Sequence, residues 1–213
     1  RKKRVKTIED LVGTVIAVAV WLVVFIMFIG EIGVDTGPLV ASAGVLGIAL
    51  GFGAQTLIKD FTSGLFIILE NQFRIGDVVK INDVAGVVQD ITMRTTVLRD
   101  LDGNLHHIPN GSINVTTNMT MEYAGFHEEI TVGLDTNVEQ LVHVINHVGT
   151  HLAQKEELKD AILEPPHFER VMGFNNDGLL VMILGRTMPG EQWRVQGEFY
   201  KAIKKAFDKH GIE

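Results

Sequence analysis

Three histidines, His143, His147 and His151, recur at intervals of four, a spacing that puts them on one face of a helix and is adequate for a metal ion. That face is opposite the apolar one, and a carboxylate would have to come from elsewhere. The histidines therefore read more simply as a solvated face. His106-His107 lies in a strand-like run, where adjacent side chains face opposite ways, so the pair cannot form a two-ligand site alone. The acid pairs Glu128-Glu129 and Glu156-Glu157 have the type needed for acid–base work, but with no pocket or nucleophile in view they read as surface charge. There is no cysteine, which excludes disulfides and thiolate chemistry. Asn110, Asn114 and Asn118 each begin a glycosylation acceptor pattern. Pro109-Asn110-Gly111 is more simply a turn joining two strands. Arg74, Lys80, Arg94 and Arg99 have the charge to meet lipid headgroups or passing anions under a membrane, and salt bridges explain them equally well. No catalytic residue, metal site or cofactor is expected.

The stretch that organises the chain is instead uncharged. Gly37–Ile58 holds 22 residues between Asp35 and Lys59 with no ionisable side chain, and as a helix it would rise about 33 Å, the thickness of a bilayer core. At about 100° per residue, Ala41, Val45, Ile48, Phe52, Gln55 and Lys59 share one face. Small residues flank that face: Gly44, Gly47 and Gly51 on one side, Ser42, Ala49, Gly53 and Thr56 on the other. Small residues let helix backbones approach closely in lipid. If one flank packs on the opposite flank of a second copy, the contact is heterologous and closes into a ring. The face between would line a hole, with Ile48 and Phe52 as apolar collars able to gate by dewetting and with Gln55 and Lys59 at its wetter end. An ordinary glycine-rich span buried in a larger membrane protein fits the same pattern.

Around this stretch, charge is segregated. Arg1, Lys2, Lys3, Arg4 and Lys6 cluster at the start, while the rest carries 14 basic against 26 acidic residues, a net −12. A nucleic-acid-binding body is not expected. Leu11–Ile29 is a second uncharged run, of 19 residues, and the basic cluster places its beginning in the cytoplasm. A secretory signal peptide, with Ala41-Ser42-Ala43 as its cleavage site, is the rival reading, but the apolar run is too long for one. Gly30–Pro38 is then a short extracytoplasmic turn. Residues 59–73, with Phe61, Leu65, Ile68 and Leu69 on one side, read as an amphipathic helix at the membrane surface. A bend would cost least at Gly64 or at the Lys59-Asp60 step. From Arg74 the pattern becomes period two, with strands expected at Asp77–Ile81, Gly86–Thr92, Thr95–Asp100 and Asn104–Ile108 and turns at Asn82-Asp83 and Asp102-Gly103. Such short, close runs suggest a small barrel or sandwich. A strand at Glu128–Leu134, helices at Asn137–Gln154 and Gln192–His210, and a strand at Leu179–Leu184 make an α+β unit.

These residues resemble the small-conductance mechanosensitive channel (MscS-like) family, from about Thr7 to the end. The resemblance is carried by GVLGIALGFGAQ at Gly44–Gln55, FRIGDVVKI at Phe73–Ile81, VAGVVQDI at Val84–Ile91 and DGNLHHIPNGSI at Asp102–Ile113. It implies a homoheptameric channel in a bacterial or archaeal cytoplasmic membrane that opens under tension and releases ions and small osmolytes on hypo-osmotic shock. Its partners would be its own copies, membrane lipid and the permeating solutes. The implied fold is a membrane protein of mixed class, with transmembrane α-helices over residues 1–70, a cytoplasmic Sm-like β-barrel domain over 71–125 and a ferredoxin-like α+β domain over 126–213, enclosing a vestibule. Ile48 and Phe52 fall where the family carries its pore rings, usually leucines. Gly44, Gly47, Ala49 and Gly51 fall at the family's small packing positions, with Ala41 and Gly53 as further packing candidates on the same helix, and Gln55 falls at a glutamine near the end of the pore helix. Thr56 stands where the archetypal member has the glycine of its helix bend, and Gly64 matches a later glycine. The family's C-terminal barrel is not represented, and a further membrane helix is expected before Arg1. A membrane-anchored sensor or scaffold is the alternative reading, although an anchor has no need of two small-residue flanks around an apolar face.

Overall fold

The computed structural model describes residues 2–213, and the side chains of these apart from 2–5 and 8. The side chains of Arg1, Lys2, Lys3 and Arg4, in the basic start, lie outside the described set. The chain falls into two compact units, Arg1–Ile58 and Lys59–Glu213.

The first unit holds α1 (Lys2–Glu31) and most of α2 (Gly37–Leu69). Gly33 takes φ +86° in the turn between them, and its N–H donates to Gly30 O at 3.1 Å, a left-handed helix stop of the kind glycine allows without strain. Asp35 then caps α2, its Oδ1 accepting the Gly37 N–H at 2.9 Å. Pro38 in the first turn removes an N–H that has no helical partner. Both helices are long and apolar enough to cross a bilayer. The expected division into a pore helix ending at Ile58 and a separate surface helix over 59–73 does not show as a break. Thr56 and Gly64 are both helical, and the helix ends at Leu69.

The second unit begins with the last turns of α2 and a five-stranded antiparallel sheet. Its strands are β1 (Val78–Ile81), β2 (Val84–Ile91), β3 (Thr95–Arg99), β4 (Leu105–Pro109) and β5 (Thr116–Asn118), in the order β4-β3-β2-β1-β5. The alternating pattern foresaw the first four to within two residues at each end. The three-residue β5 is too short to register as a period. Asn82 (φ +52°) and Gly103 (φ +85°) sit in the two expected turns. A bulge between Val88 and Asp90 bends β2 and increases the local twist. Ile67 of α2 packs with Phe73, Val79, Ile81, Val88 and Leu98 into one small core.

The remaining elements are β6 (Ala124–Val132), α3 (Val138–Gln154), β7 (Ile162–Asn175), β8 (Gly178–Thr187) and α4 (Gln192–His210). The sheet order is β6-β8-β7, and the βαββα succession is the first five elements of a ferredoxin-like unit. Alternating buried residues of the sheet, such as Val181 and Ile183, meet Leu141, Ile145 and Leu152 of α3 and Val195, Phe199 and Ile203 of α4. Strand β7 had no counterpart in the sequence reading. Its Pro165-Pro166 reads as a strand breaker, yet β7 lies at a sheet edge and its register against β8 shifts at four places, the two settings in which a strand tolerates proline. A Cβ on Gly149 of α3 would stand 1.7 Å from Pro166 O, so the helix seats directly on that irregular edge.

Candidate functional site: the small-residue face of α2 and its anchor

Along the membrane part of α2, the residues singled out by spacing all lie open. Ala41, Gly44, Gly47, Ala49, Gly51, Gly53, Gln55 and Thr56 are exposed; Ile48 is 63% exposed and Phe52 72%. Ile48, Gly51, Phe52, Gln55 and Ile58 line one shallow concavity of about 360 Å³, so the helix does place both collar candidates and the glutamine on one surface. A Cβ built on Gly44, Gly47, Gly51 or Gly53 would meet nothing within 4 Å. No neighbour among the described residues therefore requires these glycines. Each costs helix stability by about 1 kcal/mol relative to alanine, a cost that no contact described within the chain offsets. The one small hydroxyl near the start of this face, Ser42, donates to Pro38 O at 2.8 Å and is satisfied within the helix.

The lower end of α2 is anchored in the β domain. Asp60 is 8% exposed, and its Oδ1 accepts the Gly111 N–H at 2.9 Å. Arg94 Nε lies 3.6 Å from Asp60 Oδ2. One turn on, Gly64 lets the backbone come so close that a Cβ would lie 2.1 Å from Met93 O and 2.4 Å from Asn110 Nδ2. Asn110 is fully buried; it accepts from the Thr96 hydroxyl at 2.9 Å and donates to Thr92 O at 2.9 Å. Its burial fits a structural turn residue and leaves no access for a glycan. Sequence reasoning passed over Asp60, Asn110 and Thr96 as a group. The available signal was a carboxylate, Asp60, inside an otherwise apolar helical run. Replacing Asp60 with alanine strands a buried N–H and is expected to cost about 1–3 kcal/mol, read as a lowered midpoint of thermal unfolding in detergent.

Lys59 is exposed, as are His143, His147 and His151. The His147 and His151 rings stack at 6.4 Å, and no group of three or more metal-ligating side chains occurs among the described residues. Glu128 accepts from Gln196 Nε2 at 2.6 Å and from the Tyr200 hydroxyl, and this bond to the carboxylate pushes the Tyr200 hydroxyl above its usual range. Glu156 pairs with Lys159. Arg74 donates to Asn71 Oδ1 and Arg99 to Gly103 O, both at 2.8 Å; Arg94 faces Asp60. Three of the four cations considered for lipid contact thus have partners nearby.

His106 Nε2 meets Asp100 Oδ2 at 2.8 Å across the β3–β4 turn. That bond first, and those from Asn104 next, lower the Asp100 carboxyl from 3.8 to about 2. A depressed carboxyl stabilises the turn above its unfolded value, and the benefit disappears as pH falls through about 2. The Asp100 carboxyl carbon should therefore titrate by NMR with a midpoint near 2, and His106→Ala should move that midpoint upward.

Two apolar helices, a five-stranded β domain and a βαββα domain define a membrane protein with a large folded body following its spans. The comparisons place it more narrowly. Three mechanosensitive ion channel models match in succession: transmembrane helices 2/3 at residues 14–55, the beta-domain at 56–121 and the MscS C-terminal region at 129–213. The small-conductance mechanosensitive channel of Caldanaerobacter subterraneus subsp. tengcongensis is 29% identical over 99% of this chain and 74% of its own. An uncharacterised MscS family protein of Bacillus subtilis, YfkC, is 34% identical over 92% of this chain and 69% of its own. The crystal structure of Helicobacter pylori MscS in the closed state superposes with a TM-score of 0.77, at 23% identity, over 96% of this chain and 80% of that one; at that identity the match speaks for the fold. The chain belongs to the MscS family of mechanosensitive ion channels, and α1 and α2 are its transmembrane helices.

Proposed function

We propose that copies of this chain assemble around α2 into a tension-gated pore that releases ions and small osmolytes on hypo-osmotic shock, with no chemical step. The observation that carries the reading is the exposed apolar face of α2 flanked by glycines that no neighbour among the described residues requires. Gly44, Gly47 and Gly51 of one copy would receive Ala49 and Gly53 of the next, in a contact that closes into a ring, a heptamer by the family resemblance. Ile48 and Phe52 would form stacked collars that exclude water when narrow, with Gln55 and Lys59 at the cytoplasmic exit. The open ring occupies more membrane area, so tension favours it as a ligand favours the state it binds better. Thr56 is the position at which α2 would flex, since Gly64 is held against Met93 O and Asn110. The body after α2 would lie in the cytoplasm of a bacterial or archaeal cell, beneath the inner membrane.

The test is survival. Bacteria stripped of their own mechanosensitive channels and expressing this chain should survive a sudden dilution that kills cells with an empty vector. Equal killing, with the protein verified in the membrane, would contradict the reading.

A further inference from the structure

The outer surface of the α+β domain carries a cleft whose charge is opposite to that of the body. Helices α3 and α4 run side by side, and the groove between them, about 490 Å³, is of the size that holds small ligands. From α3 it is lined by His147 and His151, with Lys155 just after the helix, and from α4 by Lys201, Lys205, Lys209, His210 and a single carboxylate, Glu198; an adjoining concavity of about 330 Å³ shares His147, Lys209 and His210 with it and adds His143. Lys201 donates to Glu198 at 2.8 Å, so that carboxylate is already partnered. The His210 ring donates through Nδ1 to Ala206 O at 2.8 Å, leaving Nε2 as its remaining polar atom. Val148, Ala202 and Ala206 form an apolar floor. With every imidazole neutral the cleft is +3, on a chain of net charge −7.

The spacing is as informative as the sign. His143, His147 and His151 repeat every four residues on α3, and Lys201, Lys205 and Lys209 every four on α4. Four residues advance about 6 Å along a helix, so each ladder spreads its three groups over about 12 Å. His143 lies with Lys209 and His210 at one end, and Lys155 with Glu198 and Lys201 at the other. Two facing ladders of donors along a trough fit a line of negative charges better than a single anion. Phosphate oxygens are the strongest acceptors for such ammonium and imidazole donors. A divalent cation is disfavoured by the four lysines and by the absence, among the described residues, of any three-ligand group.

We infer that the α3–α4 cleft binds a linear chain of phosphates, laid between the histidine ladder and the lysine ladder. The chain could come as inorganic polyphosphate or on a nucleoside, whose base would rest on the apolar floor. Nothing in this inference depends on the pore, because binding is read without current.

The experiment is calorimetric titration of the full chain in detergent, at about 0.1 M salt, with inorganic triphosphate and separately with ATP, both without metal. The double variant K205E/K209E is compared with K204E, since Lys204 pairs with Asp208 outside the cleft. All three lysines are exposed, and thermal unfolding checks that each variant is folded. The expected result is saturable binding of triphosphate that weakens at least about tenfold in K205E/K209E, one lost charged bond being worth roughly that factor, and hardly changes in K204E. Tighter binding of ATP would assign the floor to a base, and equal binding would assign the site to the phosphates alone. No saturable binding of either probe, an equal loss in K204E, or binding of Zn²⁺ alone in place of both probes would overturn the inference.

Discussion

Phe52→Ser is expected to make the channel open at a markedly lower membrane tension. On the single chain Phe52 is 72% exposed, so lipid, neighbouring copies or pore water must surround its ring, and the collar reading takes it to face the pore. In a closed collar each ring hides apolar surface from water, worth up to about 1.5–3 kcal/mol per fully buried phenylalanine. Serine forfeits most of that and wets the constriction, and the loss is repeated in every subunit. Even about 1 kcal/mol per copy sums to several kcal/mol in favour of the open state, an amount large enough to give spontaneous openings. Phe52→Leu, which restores the residue usual in the family's collar, should shift the threshold far less. Patch-clamp recordings in which serine leaves the threshold unchanged would remove Phe52 from the gate.

The second large effect separates two kinds of glycine on the same helix. Gly64→Ala places a Cβ 2.1 Å from Met93 O and 2.7 Å from Met93 C, backbone atoms that cannot swing aside. The cost of such overpacking, about 1–3 kcal/mol, exceeds the roughly 1 kcal/mol that alanine gains in helix propensity. The β domain should lose stability or part from α2, read as a lower unfolding midpoint in detergent. Gly53→Ala meets nothing within 4 Å in its own chain, so it should leave protomer stability equal or slightly higher. If Gly53 faces a neighbouring copy, the same change should alter the tension threshold. The two substitutions are chemically identical, and only the surroundings differ.

This contrast also shows what the sequence could and could not disclose. The face of Ile48, Phe52 and Gln55 follows from a fixed angle per residue, so local geometry suffices to find it, and the structure places the three around one concavity. The strands β1 to β4 were likewise legible because alternation records burial on one side. Gly64 was read as a bend, since a glycine in a helix has several uses and spacing does not distinguish them; its contact partner, Met93, lies 29 residues further on. Asp60 and Gly111 meet for the same non-local reason. Strand β7 was hidden by Pro165-Pro166, whose place at a sheet edge depends on the strand order β6-β8-β7. The histidine face of α3 is exposed, as its spacing predicts, but the lysines opposite it are 50 or more residues away and come together only through the pairing of α3 with α4.

The central claim, that copies of α2 line a pore opened by tension, is tested most directly by recording from purified protein in liposome patches under graded suction. The account predicts stepwise currents that appear above a reproducible tension, need no ligand, and begin at lower tension in Phe52→Ser. Patches that contain verified protein yet stay silent until the membrane ruptures, in both the native chain and the serine variant, would contradict it.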